Sequence, residues 1–361
     1  MTQLEKMKKI TVIIPAYKPD EKLLATLREL QEAGFGHILV VNDGSGEAFE
    51  GIFAQVEQMP ACHLIRHEVN RGKGAALKTA FAHVMAEKNG TECVVTADAD
   101  GQHLVKDIIA VADTCLETGH ITLGCRDFTD PKVPARSKAG NQTTCVVFRL
   151  FFGMKIQDTQ TGLRAFPMDT LPVMCEAAGD RYEYETNMLF LMNRKDMPFE
   201  QVKIETVYIE ENKSSHFRVV RDSIRIYALI LKYLFSSAAS AVVDETAFFL
   251  FKVLFAGAAW VAIPVTFVAS FLARAVSSLT NYYINSKVVF GDKPNKKTLV
   301  RYYCLVIFQI CLSATLVFVI EKVLRIQSPG LSTLVKTLVD MVLFLISFRI
   351  QHKWVFNDKE K

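Results

Sequence analysis

Residues 92–103 read Glu92-Cys93-Val94-Val95-Thr96-Ala97-Asp98-Ala99-Asp100-Gly101-Gln102-His103. The short β-branched run over 92–97 predicts a buried strand, and the glycine-containing polar cluster behind it ends that strand. Asp98 and Asp100 therefore stand where the strand stops. Flanking turns can bring two carboxylates so spaced onto one hard cation, with Gln102 as a further oxygen ligand, and Mg²⁺ or Mn²⁺ suits such a donor set. A capped turn accounts for the same residues without a metal, so their neighbours must decide.

Outward from this stretch the same grammar repeats. A β-branched run over 10–15 precedes a segment over 20–34 with Leu23, Leu24, Leu27 and Leu30 at helical spacing. Extended runs over 37–41, 62–66 and 120–123 alternate with helical patterns over 47–57, 74–87 and 104–117. Strands separated by helices of this length predict an α/β, Rossmann-like, mostly parallel sheet covered on both faces. Such sheets hold ligands at the carboxyl ends of their strands. Each strand here ends in a polar cluster: Pro15-Ala16-Tyr17, Asn42-Asp43-Gly44-Ser45, Asn70-Arg71-Gly72-Lys73-Gly74, and the Asp98–Asp100 turn. Asp43 suits either an Asx turn or the edge of a nucleobase. Lys73, flanked by glycines and followed by a helix, suits either a plain loop or a phosphate site.

Composition changes along the 361 residues. The chain is 22% charged overall with a net charge of +4, but the residues beyond 235 fall mostly into long apolar runs. The length predicts two domains. No basic stripe interleaved with aromatics precedes residue 235, which argues against a nucleic-acid partner. Eight cysteines contain no C-x-x-C pair and read as reduced core residues in a cytosolic redox environment. The charged start and the short apolar run over 10–16 match neither a signal peptide nor a span, so the first domain is expected to stay in the cytosol.

The motifs together resemble glycosyltransferase family 2, whose catalytic domain has the GT-A fold. The resemblance covers about residues 9–218 and rests on V-I-I-P-A-Y, V-N-D-G-S, N-R-G-K-G-A-A, A-D-A-D-G-Q-H, L-G-C-R and D-T-Q-T-G-L-R in the family's order. It implies that Pro15, Tyr17 and Asp43 hold the base and ribose of a nucleotide sugar, with Lys73 near the base or diphosphate. It also implies that Asp98, Asp100 and Gln102 coordinate the metal, Asp98 lying against the nucleotide as well. The closest subfamily is that of polyprenyl or dolichyl phosphate glycosyltransferases. There Arg126 and Arg136 match arginines that bind the acceptor phosphate, a task for which a rigid, permanently charged donor fork is suited. Asp158 matches the acceptor-side carboxylate, a usual general base. A lipid phosphate monoester with a second pKa of about 6 is already largely ionised at neutral pH, so here Asp158 is expected to orient more than to deprotonate. Direct displacement with inversion is the expected course. Glu183 and Glu185 match an acidic pair found downstream, or simply favour a helix start. One departure stands out: family members carry a donor-clamping arginine in R-x-x-G-x-S-K, where this chain reads Tyr208-Ile209-Glu210-Glu211-Asn212-Lys213-Ser214-Ser215-His216-Phe217-Arg218. Lys213, His216 or Arg218 are the candidates to replace it.

These readings divide the chain into a catalytic domain over 1–217, an amphipathic juxtamembrane helix over 218–236 and a membrane domain over 237–358. Apolar segments over 239–260, 263–284, 302–323 and 334–350 are each long enough to span a bilayer, giving four transmembrane helices. Basic residues cluster at Lys287, Lys293, Lys296, Lys297 and Arg301 and again at Arg349, Lys353, Lys359 and Lys361. That pattern places both clusters and both termini on the cytoplasmic side of a plasma membrane. Residues 282–290 resemble 348–356, an internal repeat of the hairpin ends. This tail resembles the GtrA-like family over about 240–358, whose members are proposed to flip or present glycolipids. Asp244, Lys252, Arg274, Lys336 and Asp340 fall in or near the spans and suggest either mutual pairing or a polar path. A four-helix tail is small for a complete pathway, which leaves a homo-oligomer open. The expected activity is hexose transfer from a UDP- or GDP-sugar to undecaprenyl phosphate. The alternatives are a transport protein that binds a sugar nucleotide without transferring it, and a processive polysaccharide synthase. The latter lacks its Q-x-x-R-W context at Trp260 and Trp354.

Overall fold

Ile10–Ala16 forms β1, and Ile10, Val12, Ile13 and Ile14 are all fully buried. Burial on both faces is what a continuous β-branched run buys in a strand with helices above and below. β1 lies beside β2 (His37–Asp43) and β4 (Cys93–Thr96), both parallel to it. β3 (Cys62–His67) pairs in parallel with the far side of β2. On the other flank stand β5 (Ile121–Arg126), β6 (Arg164–Pro167) and β7 (Phe199–Ile204). The sheet order is β3-β2-β1-β4-β6-β5-β7, and β6 alone runs antiparallel, wedged between β4 and β5.

The helices of this unit are α1 (Gln3–Met7), α2 (Glu21–Glu32), α3 (Glu50–Glu57), α4 (Lys73–Glu87), α5 (Val105–Thr118), α6 (Ala135–Val147), α7 (Leu171–Cys175) and α8 (Glu183–Arg194). α2 starts on Asp20, whose carboxylate accepts from the Lys22 N–H, and it buries Leu23, Leu24, Leu27 and Leu30 against the sheet. The computed structural model describes residues 2–87, 89–128, 133, 135–205, 219–255, 265–291, 293–326 and 328–356. They fall into two units: Met1–Arg149 with Met154–Asp222, and Leu150–Gly153 with Ser223–Lys361.

The second unit is helical: α9 (Val219–Leu254), α10 (Val265–Ile284), α11 (Lys296–Leu324) and α12 (Pro329–Ile350). Where the sequence separates a surface helix from a first span, the backbone runs unbroken through the 36 residues of α9. Two stretches among the described residues, Leu231–Phe251 and Lys296–Leu324, are long and apolar enough to cross a bilayer. The usual distribution of polarity is inverted. Phe235, Phe271, Phe308, Phe318 and Val323 are exposed, while Ser236, Asn285, Ser286, Thr298 and Gln351 are buried. Water would not tolerate that surface, whereas lipid favours it and drives polar side chains to find each other inside. The repeated segments each close in a π-helical turn, Asn285–Val289 and Gln351–Val355. They meet through Asn285, which donates to Gln351 at 3.0 Å.

Candidate active site

The antiparallel β6 builds the site. Because Thr96 pairs with Arg164 and Cys93 with Pro167, the start of β6 lies beside the end of β4. The loop over 158–163 therefore joins the sheet edge at which β4 delivers Asp98 and β5 delivers Arg126. Thr96 Oγ1 donates to the Gly162 carbonyl at 2.9 Å. A Cβ at Gly162 would fall 2.5 Å from Asp98 Oδ2, so glycine is required to let the loop close on that carboxylate.

Asp98 faces two cationic or polar partners. The Lys73 ammonium lies 2.6 Å from its Oδ1, and His103 Nε2 lies 3.4 Å from Oδ2. Lys73 also reaches Glu185 Oε1 at 2.8 Å. Partial burial alone would raise the Asp98 pKa, but the ammonium and the imidazole outweigh it and hold the carboxyl well below its usual range. The same two carboxylates hold Lys73 above the ordinary lysine value against the opposing effect of burial. Asp100 shifts the other way: burial and the charge of Asp98 raise its pKa, although the Gln102 N–H donates to it at 3.0 Å. Two carboxylates and an adjacent amide form a hard-donor cluster that already draws the Lys73 ammonium onto Asp98. Its chemistry fits a divalent ion.

Arg126 and Asp158 form the second half. Asp158 is fully buried. Arg126 donates through Nε to Oδ2 at 2.7 Å and through a terminal nitrogen to Oδ1 at 3.1 Å, while the Gln160 N–H also donates to Oδ1 at 2.9 Å. Held by this fork, the guanidinium lies over the Phe128 ring at 5.1 Å and keeps a quarter of its side-chain surface open.

Asp43 is only 2% exposed. Its carboxylate accepts from the Arg71 N–H at 2.9 Å, the Gly72 N–H at 2.7 Å and the Asn70 amide at 3.0 Å, and His67 Nδ1 lies 2.7 Å away. It pins the loop that carries Lys73. The glycines of that loop answer a steric demand. Gly72 sits at φ +104°, and a Cβ at Gly74 would lie 2.5 Å from Tyr184 Cβ. The Ala75 N–H donates to the Asp180 carbonyl at 2.9 Å, locking the start of α4 against the start of α8.

Pro15 is half-buried at the end of β1, and Tyr17 beside it is 39% exposed with Lys18 over its ring. Arg136 lies in the first turn of α6; its side chain falls outside the described residues. Lys213, His216 and Arg218 also lie outside them, so the candidate donor clamp stands apart from this geometry. Glu183 opens α8 and borders Gly179. Three contributors fall in or beside the motifs, but their partners are set by packing. His103 reaches Asp98, and Glu185 reaches Lys73 from more than a hundred residues downstream. Arg164, fully buried, ties the Thr161 carbonyl (3.0 Å) to the Glu185 carbonyl (2.7 Å). Arg164 ends the D-T-Q-T-G-L-R motif, and a charged arginine inside a strand of four residues is the signal for that brace.

Residues 11–174 match the glycosyl transferase family 2 model, and residues 232–356 match the GtrA/DPMS transmembrane domain. An uncharacterized protein of Methanocaldococcus jannaschii is 31% identical over 231 residues, covering 63% of this chain and 93% of its own. The UDP-N-acetylglucosamine–dolichyl-phosphate N-acetylglucosaminyltransferase of Methanococcus voltae is 30% identical, covering 56% and 87%. An undecaprenyl-phosphate mannosyltransferase of Micrococcus luteus is 26% identical, covering 57% and 86%. Among solved structures, mannosyl-3-phosphoglycerate synthase from Rubrobacter xylanophilus superposes with a TM-score of 0.49 at 15% identity, over 63% of this chain and 77% of its own. The chain is a glycosyltransferase of family 2, with a GT-A-like catalytic unit and a GtrA/DPMS-type membrane domain.

Proposed function

We propose that this enzyme moves a hexose from a UDP- or GDP-sugar to a polyprenyl phosphate, undecaprenyl phosphate in a bacterial membrane, with inversion at the anomeric carbon. The observation that carries the reading is the meeting of the Asp98–Lys73 pair and the Arg126–Asp158 pair along one sheet edge, brought together by the antiparallel β6. One pair suits the diphosphate of a donor and the other suits the phosphate of an acceptor. The named transferases of Methanococcus voltae and Micrococcus luteus, which act on dolichyl and undecaprenyl phosphates, support the same acceptor class.

In this account Asp98, Asp100 and Gln102 would hold Mg²⁺ or Mn²⁺, which when bound neutralises charge on the departing diphosphate. Lys73 then turns from Asp98 toward that diphosphate, with Glu185 limiting its swing. Tyr17 and Pro15 flank the base, and Asp43 acts through the loop it pins. Arg126, oriented by Asp158 and joined by Arg136, seats the acceptor phosphate. A phosphate oxygen of the acceptor attacks the anomeric carbon. A new C–O bond forms as the bond to the nucleotide breaks, and the nucleoside diphosphate leaves with the electron pair. Because the acceptor is already ionised, no proton needs to be removed by Asp158, whose two oxygens are engaged by Arg126 and the Gln160 N–H. Lys213, His216 or Arg218 is the candidate to take the place of the donor-clamping arginine.

The membrane domain tethers the catalytic unit to the bilayer that carries its insoluble acceptor. Four spans with both termini cytoplasmic satisfy the basic clusters, and the domain presents or translocates the glycolipid product. The test is purified full-length protein with undecaprenyl phosphate, Mg²⁺ or Mn²⁺ and a panel of labelled nucleotide sugars. Label is expected in the lipid phase with one donor, falling at least about 100-fold in Asp98→Asn/Asp100→Asn. Undiminished transfer by that variant would refute the roles given to the two carboxylates.

A further inference from the structure

β3 stands at the edge of the sheet, and of its residues only His67 is buried. An edge strand carries unpaired backbone groups and needs a cover. The chain turns back from β3 through residues 68–72 into α4, so strand and helix run in opposite directions and meet in rows. In the first row His67 Nε2 lies 3.0 Å from Thr79 Oγ1. Four residues back along the strand is His63, and four residues on along the helix is His83; their rings stack with centroids 4.8 Å apart and planes at 14°. One turn further along α4 stands Glu87, whose Oε1 lies 3.0 Å from His83 Nε2. A ligand atom from each of His63, His83 and Glu87 lies within 4.8 Å of the other two. His63 pairs with Leu39 near the start of β2, whereas Asp43 and His67 pair at the other end, which faces the active site. The cluster is therefore at the edge of the sheet remote from Asp98.

Hydrogen bonding does not account for this cluster. His83 Nε2 is shielded from water and makes no hydrogen bond, although Glu87 Oε1 is so near. Asn89 donates to the other oxygen of Glu87, Oε2, at 3.3 Å. A shielded ring nitrogen beside a carboxylate oxygen, without the alignment of a hydrogen bond, is how two ligands of one cation stand. Two imidazoles and a carboxylate suit Zn²⁺ or a similar borderline transition ion, and suit Mg²⁺ poorly because it takes oxygen ligands. Ligand atoms around a tetrahedral Zn²⁺ stand about 3.4 Å apart, a spacing that His83 and Glu87 nearly meet. Stacked rings direct their lone pairs side by side rather than at one point, so His63 has to turn to join them. His63 and Glu87 are the exposed, movable members, and His83 is the more enclosed one. Cys62, next in sequence to His63, faces the other side of the strand with its thiol on Met59.

We propose that His63, His83 and Glu87 form a second metal site, for Zn²⁺ or a divalent ion of like chemistry, that clamps the edge strand β3 to the end of α4. Three protein ligands leave the fourth position to water. Helix spacing holds His83 and Glu87 on one face of α4, and the strand supplies the third ligand, so the ion ties two elements together. Its effect is on stability: α4 begins at Lys73, and the ion fixes the opposite end of that helix. None of the three residues takes part in the proposed transfer, so the metal site stands or falls separately. The metal-free account of the same contacts is a protonated His83 paired with Glu87 under a stacked ring, and such a pair binds no ion.

The test uses full-length, untagged Asp98→Asn/Asp100→Asn protein, in which the oxygen-rich cluster is silenced, stripped with a chelator and titrated with Zn²⁺ by calorimetry. About one Zn²⁺ per chain is expected to bind. His63→Gln, His83→Gln and Glu87→Gln, added singly, are each expected to weaken binding at least about tenfold, and Cys62→Ser to leave it unchanged. Cu²⁺ bound at the same site is expected to show imidazole nitrogen couplings in its electron paramagnetic resonance spectrum, lost in the double variant His63→Gln/His83→Gln. Zn²⁺ at a hundredfold excess over its Kd is expected to raise the first thermal transition by about 5 °C, and to do so far less in His83→Gln. In chelator alone the three variants are expected to melt within about 2 °C of their parent, because all three positions lie at the surface; this separates loss of the ion from loss of the fold. No Zn²⁺ bound by the parent, binding kept by all three variants, or binding lost in Cys62→Ser would overturn the site. Binding that leaves the melting profile unmoved would overturn the clamp.

Discussion

Asp158 and Arg126 illustrate how much a single carboxylate controls when it is buried. Asparagine at position 158 keeps the shape but removes the charge that fixes the guanidinium fork. In Asp158→Asn, kcat/KM for the lipid acceptor is expected to fall about 100-fold, equivalent to about 2.7 kcal/mol, with KM for the nucleotide sugar changing less than about threefold. Steady-state kinetics with each substrate varied in turn checks this. A rise in KM for the nucleotide sugar with the acceptor kcat/KM unchanged would place Asp158 on the donor side instead. Asp100 gives the pH dependence. Its pKa lies above the ordinary carboxylate value because of burial and the neighbouring Asp98 charge, so on acidification it takes up a proton earlier than a solvated carboxylate does. Divalent-ion affinity, which needs the ionised form, is therefore expected to decline on lowering pH before exposed carboxylates titrate. Isothermal titration with Mn²⁺ across acidic pH checks the direction, and an affinity that rises on acidification would contradict it.

At the scale of elements, the Lys73 loop is held by contacts that leave no space for additional atoms. A methyl group at Gly74 would collide with Tyr184 Cβ and the Asp180 backbone, neither of which is the movable end of a flexible side chain. Gly74→Ala is expected to destabilise the catalytic unit by about 1–3 kcal/mol, visible as a lowered first transition in thermal melting of the full-length protein. An unchanged melting profile would mean that α4 and α8 can part. The alternation of strands and helices was legible because β1, β2 and β4 are rich in β-branched residues and α2 repeats leucines at helical spacing. β6 was not. Arg164–Pro167 is four residues long, includes a buried arginine and ends in proline, so neither period is established over its length. Nor could motifs disclose that Asp43 serves Gly72, or that Glu185 serves Lys73, because sequence spacing fixes local geometry but not which distant backbone folds back. The polar clusters at the strand ends marked the edge of the site. The partners within it came from packing.

Considered as a whole molecule, the chain joins two units that obey opposite solvent rules. The first buries apolar strands and exposes charge. The second exposes phenylalanines and encloses serines, asparagines and ion pairs, and this marks it as a membrane protein rather than a soluble bundle. The named relatives align with little more than half of this chain. A transferase whose product is lipid-borne gains from a membrane domain that can engage that product. The central claim, sugar transfer to a polyprenyl phosphate, is tested most directly by mass spectrometry of the lipid phase after full-length protein is incubated with undecaprenyl phosphate, Mn²⁺ and each nucleotide sugar. The predicted result is a gain of one sugar residue on the lipid phosphate from one donor, matched mole for mole by released nucleoside diphosphate. Nucleoside diphosphate release without a heavier lipid, or no release from any donor, would contradict it.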